Sequence, residues 1–165
     1  MKSSYKIATL LYVFDDRDRV LLMQRNKEPN RGLWSPSGGK LETGVGESPH
    51  ECAMREAREE LGITIRTTEL HLTGIVSERG GIGEDHWLMF LFEINRPLSE
   101  LPQAHPEGTF GFFGRTEIEA LPIPLTDREM IWPLFWKHRG GFFAAHCRRI
   151  EGETDQWVIE ESVIR

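Results

Sequence analysis

The sequence predicts an α+β fold in which a mixed β-sheet lies between helices. Strand-like runs outnumber helical ones. The runs do not follow a regular strand–helix–strand alternation. Helix-start signals stand at Ser48 and Thr126. In chain order, Tyr5–Phe14 and Val20–Arg25 are apolar and β-branched and flank the turn-like Asp15-Asp16-Arg17-Asp18-Arg19, so they predict a hairpin. Lys27–Gly46 holds Pro29, Asn30, Gly32, Pro36, Gly38, Gly39, Gly44 and Gly46 and predicts a long irregular segment, of the kind that usually carries function. Ser48 with Glu51 three residues on makes a capping box, Pro49 sits where a missing N–H costs nothing, and Gly62 is a stop, so a helix is predicted over Pro49–Leu61.

Glu69–Ser77, Asp85–Ile94 and Phe110–Phe113 predict strands. Thr126 with Glu129 repeats the capping pattern and predicts a second helix from Asp127 to Lys137, kinked or shortened by Pro133. Phe142–Arg149 and Trp157–Val163 predict a closing hairpin across Glu151–Asp155.

The 165 residues fit one domain, 1–165. A formal net charge of −6 argues against a nucleic-acid polymer or an anionic membrane as partner, because both need clustered positive charge. A small phosphorylated ligand stays open, since a bound cation inverts the local field. Cys52 and Cys147 are too few for a disulfide framework and read as reduced thiols, which points to the cytoplasm. The apolar run Ile7–Phe14 ends in charge without a small-residue cleavage site and reads as a strand, and no run approaches a membrane span.

On a helical wheel Ala53, Met54, Ala57 and Leu61 form the core stripe of the first helix, and Glu56, Glu59 and Glu60 fall in the adjacent arc. These acids stand at i, i+3 and i+4, where like charges repel. A solvated acidic face paired with Arg55 and Arg58 is one reading. The other is a divalent cation on hard carboxylate oxygens, favoured by the core-bordering arc and by the glycine-rich segment leading into the helix.

Gly39, Glu47 and Arg55-Glu56-Ala57-Arg58-Glu59-Glu60-Leu61-Gly62-Ile63 resemble the Nudix box. Seven residues separate Glu47 from Arg55, as in the family; seven also separate Gly39 from Glu47, a two-residue insertion in the loop. The resemblance implies a Nudix-type α/β/α sandwich and an enzyme that hydrolyses a diphosphate linkage with magnesium (Mg2+), or manganese (Mn2+) as substitute. It implies metal ligands at Glu56, Glu59, Glu60 and the Gly38 carbonyl. Gly39, Glu47 and Arg55 would support the site. Glu60 or Glu59 would act as the base, with Glu107 from His105-Pro106-Glu107-Gly108 as the alternative.

Arg31–Lys40 and Leu121–Pro133 further resemble Nudix enzymes acting on oxidised purine nucleoside triphosphates such as 8-oxo-dGTP. That likeness implies substrate contacts at Ser35, Lys40 and Asp127, with Asp127 reading the purine edge. Leu125 stands near the base-stacking position and leaves Trp132 as the aromatic alternative, although Trp132 also fits a helix core. Asp127 could equally serve the helix dipole. Arg25, at a strand end, is a phosphate contact or an exposed arginine. ADP-ribose, dinucleoside polyphosphates and nucleotide sugars are the competing substrates, a non-catalytic nucleotide sensor is the competing class, and the chain would be a monomer or homodimer.

Overall fold

The computed structural model describes residues 3–165. Nine strands form two sheets: β1 (Tyr5–Val13), β2 (Val20–Arg25), β3 (Trp34–Ser35), β4 (Ser37–Lys40), β5 (Leu70–Arg79), β6 (His86–Ile94), β7 (Gly108–Phe113), β8 (Phe142–Arg148) and β9 (Gln156–Val163). The larger sheet has the order β4-β1-β6-β5-β8-β9 and the smaller β3-β2-β7. The helices are α1 (Pro49–Leu61), a single turn α2 (Arg115–Ile118) and α3 (Trp132–His138). The large sheet is mixed: β1 runs parallel to β6 and antiparallel to β4, and β5 runs parallel to β8.

Each face of that sheet carries its own core, as alternation along a strand requires. Leu11, Val13 and Phe92 pack with Ala53, Ala57 and Leu61 of α1. Tyr12, Leu91, Val76, Phe143 and Ala145 pack with Trp132, Leu134 and Phe135 of α3. The Phe135 ring stacks on Tyr12 at 4.0 Å. This is the expected helix–sheet–helix arrangement. No helix among the described residues is long and apolar enough to cross a membrane.

The expected β1–β2 hairpin does not form. β1 uses both its edges, on β4 and on β6, so β2 joins β3 and β7 instead and meets β1's end only through the Phe14–Val20 bridge. The connecting turn is closed by Asp15, whose carboxylate accepts the Arg17 and Arg19 N–H groups at 3.0 and 2.8 Å. Val20, Leu21 and Leu22 are all buried, because β2 is covered on both sides.

The segment Lys27–Gly46 is less irregular than expected and contains β3, β4 and a 3-10 turn at Thr43–Val45. At the second helix the Thr126 capping box is absent. Thr126 is itself helical (φ −60, ψ −40) and its side chain caps nothing. Asp127–Ile131 form a wide turn in which Trp132 N–H donates to the Asp127 carbonyl, five residues back, before α3 begins. Pro133 offers no N–H to continue a regular ladder, which accounts for the widening.

Candidate active site

The site begins at the start of α1. Ser48 Oγ accepts the Glu51 N–H at 3.1 Å, and Glu51 Oε2 accepts the Ser48 N–H at 2.7 Å. Gly62 (φ 68) ends the helix in the left-handed region. With both ends pinned, the register is set: Ala53, Ala57 and Leu61 face the sheet, and Glu56 and Glu60 flank β4.

Two glycines let the β4 backbone fit between β1 and these acids. A Cβ at Gly38 would strike the Thr9 carbonyl, and one at Gly39 would strike the Glu56 carboxylate. The Gly38 N–H reaches Glu60 Oε2 at 3.3 Å.

Arg55 ties the loop to the helix. Its Nε and Nη2 donate to the two oxygens of Glu47 at 2.7 and 2.9 Å. Nη1 donates to Glu56 at 2.9 Å and Glu59 at 3.1 Å, and Nη2 also reaches the Lys40 carbonyl at 3.1 Å. The Arg55 hydrogen bonds hold the Glu47 carboxyl down at about 2. The loop Leu41–Gly46, which carries the two extra residues, leaves this clamp intact: it folds into a 3-10 turn at Thr43–Val45, and Glu47 closes it by accepting the Glu42 N–H at 3.1 Å.

Glu56 and Glu60 are less fully compensated. Burial, then the Glu56 charge, with a smaller contribution from Glu107, pushes the Glu60 carboxyl up to about 7. Burial is also the main cause of the raised Glu56, with Glu59 and Glu107 adding to it. Glu107 therefore shares one electrostatic field with Glu56 and Glu60, although it lies in the loop before β7. Its backbone is anchored there by Asn26 N–H to its carbonyl at 3.0 Å and by its own N–H to His105 Nδ1 at 3.2 Å. Glu59 stands apart, its side chain 53% exposed on the outer side of Arg55.

Three observations bear on a cation. The donors are all hard oxygens. The mutual repulsion of Glu56, Glu60 and Glu107 is only partly relieved, by Arg55 at Glu56 and by the Gly38 N–H at Glu60. Ser37 Oγ is buried without a hydrogen-bond partner of normal geometry, though near enough to Glu60 to help lower its carboxyl. Among the described residues no three acidic, His or Cys side chains are already gathered as a ligand set, since Arg55 holds Glu56 and Gly38 holds Glu60. The chemistry of the donors fits a hard divalent ion, which would draw these groups together. An open cavity of about 560 Å³, lined by Glu59, Glu60, Leu98, Gln103 and His105, adjoins this cluster.

The other predicted residues are dispersed: Asp127 opens the turn entering α3 and Trp132 begins α3, Arg25 and Ser35 lie in the smaller sheet, and Lys40 ends β4. Asp127 is half-buried in the turn that leads into α3. Burial, then Glu78, pushes it up to about 7. Trp132 is not a free stacking surface: it is 4% exposed and packs on Tyr12, Phe135 and Trp136. Leu125 is 66% exposed. Lys40 is exposed, its Nζ 5.8 Å from the Trp87 ring centre. Ser35 sits in β3 opposite Met23, and Arg25 Nε is spent on the Pro29 carbonyl at 2.8 Å.

Sequence reasoning did not single out Ser37, Glu78 or Trp87. The signal for Glu78 was its spacing: two residues after the core residue Val76, it belongs on the covered face of β5.

Residues 4–131 match the NUDIX domain family. The uncharacterised Nudix hydrolase YvcI of Bacillus subtilis is 32% identical over 121 residues, 72% of this chain and 73% of the relative. A Mycobacterium tuberculosis protein, provisionally named 8-oxo-dGTP diphosphatase 3, is 33% identical over 63 residues, 35% of this chain and 29% of its own length. The crystal structure of a mutator MutT protein from Bacillus halodurans superposes with a TM-score of 0.72 at 28% identity, covering 94% of this chain and 97% of that one. The match over the box, the glutamate helix and the sandwich that carries them makes this chain a Nudix hydrolase, a member of the NUDIX domain family.

Proposed function

We propose that the chain is a magnesium-dependent purine nucleoside triphosphate diphosphohydrolase, releasing a nucleoside monophosphate and pyrophosphate. The observation that carries this reading is the placement of Glu56 and Glu60 beside the β4 glycines, where the charge of Glu107 also reaches them. Glu56, Glu60, Glu107 and the Gly38 carbonyl would hold the cation, which when bound neutralises phosphate oxygens and acidifies water. Manganese is the expected substitute.

The protein's own groups supply positioning and proton transfer. Arg55 holds α1 and the glycine loop in one arrangement through Glu47 and the Lys40 carbonyl. The Gly38 N–H holds Glu60 Oε2, leaving Oε1 free to take the proton of the attacking water. A carboxyl poised near neutral suits that task. Glu107, entering from the opposite loop, is the alternative base. Glu59, turned toward solvent on Arg55, fits an outer supporting role better than proton transfer. Lys40, exposed at the end of β4, would meet phosphate.

A panel of nucleoside triphosphates, including oxidised purines, with ADP-ribose, dinucleoside polyphosphates and nucleotide sugars, tests this. Monophosphate and pyrophosphate from purine triphosphates, with magnesium required, is the expected result. Turnover confined to the other substrate classes would overturn the substrate assignment, and no turnover on any would favour a sensor.

A further inference from the structure

Ser37 stands opposite Leu11 of β1, and Gly39 stands opposite Thr9. Leu11 packs in the core that α1 covers, and Thr9 Oγ1 meets Cys52 Sγ of α1 at 3.4 Å. Directly paired residues share a face of the sheet, so Ser37 and Gly39 both face α1. Gly39 meets Glu56 there, since a Cβ on it would strike that carboxylate. Two residues along a strand advance about 6.8 Å, and the four residues from Glu56 to Glu60 advance about 6 Å along a helix. Ser37 therefore faces Glu60 as Gly39 faces Glu56. The N–H of the next residue, Gly38, reaches Glu60 Oε2 at 3.3 Å, in keeping with that placement.

Ser37 is 1% exposed, and its Oγ has no hydrogen-bond partner of normal geometry. A buried hydroxyl without a partner costs the fold stability. The Glu60 carboxylate, for its part, is held at Oε2 by one long hydrogen bond from β4. The terminal torsion of a glutamate is soft and roughly two-fold, so a single contact does not fix which oxygen faces the site.

We propose that Ser37 is a positioning residue whose hydroxyl donates to Glu60 Oε2 and, with the Gly38 N–H, sets the other oxygen toward the cation and the attacking water. This rests on the reading of Glu60 as a metal-binding acid in a diphosphate hydrolase. Two donors from adjacent residues of β4 then converge on one oxygen, and the carboxylate cannot turn over about its last bond. The hydroxyl is kept at a cost to the fold because the acid it orients needs it.

Removing the hydroxyl separates this role from a structural one, because the two predict opposite effects on the fold. In Ser37→Ala the unpartnered group is gone, so the metal-free protein should melt at or above the wild-type temperature. Its affinity for Mn2+ alone, titrated by electron paramagnetic resonance without nucleotide, should fall about tenfold, as when a group that holds a metal ligand is lost. Turnover of a nucleoside triphosphate should fall about tenfold in kcat, with KM within about twofold. In a Glu60→Gln background the same change should leave Mn2+ affinity unaltered, because Ser37 acts through that carboxylate. Ser37→Thr, which keeps the hydroxyl on a side chain suited to a strand, should stay within about threefold of wild type in Mn2+ affinity. A lower melting temperature for Ser37→Ala, or its failure to fold, would show a structural hydroxyl and overturn the inference. So would an unchanged Mn2+ affinity in Ser37→Ala, an equal loss in the Glu60→Gln background, or a Ser37→Thr protein as impaired as Ser37→Ala. All of these leave metal-dependent hydrolysis by the wild-type protein standing. A wild-type protein that binds no Mn2+ and hydrolyses no diphosphate linkage would sink both.

Discussion

Replacing Gly39 by alanine separates the geometry of the site from the stability of the fold. The added Cβ lands on the Glu56 carboxylate, within contact of Oε1, Cδ and Oε2. Gly39 is not among the positive-φ glycines, so the backbone accepts alanine without strain. The collision is with a side-chain end, and it is relieved if that carboxylate retreats on the order of 1 Å from normal contact distance. Arg55 and the packed helix limit where it can go. A displacement of that size at a catalytic centre costs about 100-fold in rate. The unfolded chain meanwhile loses glycine's freedom, worth about 0.5 kcal/mol in favour of the fold. Gly39→Ala should therefore lower kcat/KM about 100-fold while the melting temperature stays within ~3 °C of wild type. Steady-state kinetics and a calorimetric melt read both. Activity within about threefold of wild type would refute the placement of Glu56 in the site. A large fall in melting temperature would refute the claim that only the carboxylate moves.

Other outcomes follow from the same geometry. Arg55→Lys should cost about 2 kcal/mol in chemical denaturation, because a lysine cannot span both Glu47 oxygens and Glu56 at once. Glu47 has its folded carboxyl depressed to about 2 from 4.5, so the stability it contributes is present above pH ~4.5 and is lost as pH falls toward 2. After discounting for solvent screening at this loop edge this is about 1–2 kcal/mol, and Glu47→Gln should flatten the acid limb of a pH–stability curve by that amount. Phe135→Ala removes a fully buried ring stacked on Tyr12 and should cost about 3–5 kcal/mol, seen as a fall in melting temperature of about 10 °C.

What was legible in the sequence was local. Ser48, Pro49, Glu51 and Gly62 define α1 to the residue because each acts on backbone groups within one turn. The phase of Ala53, Ala57 and Leu61 then oriented the glutamates. The β1–β2 pairing was misread because strand partners are chosen by competition across the chain. Nothing between Tyr5 and Arg25 reveals that β6, more than seventy residues on, takes the edge that a hairpin would use. Thr126 failed as a cap because Asp127–Ile131 widened around Pro133, a compromise between a missing N–H and the packing of Trp132 and Phe135. Glu107 was reachable only through family resemblance. Its approach to Glu56 and Glu60 is made by the β2–β7 pairing that carries its loop across.

The most direct test of the account is turnover by Glu60→Gln, compared with wild type in the presence of magnesium and purine nucleoside triphosphates. Gln keeps an oxygen for the Gly38 N–H and cannot accept the proton. Loss of pyrophosphate release by at least ~1000-fold, with an unchanged circular dichroism spectrum, is the predicted result. Near-normal release would contradict it and remove Glu60 from the chemistry.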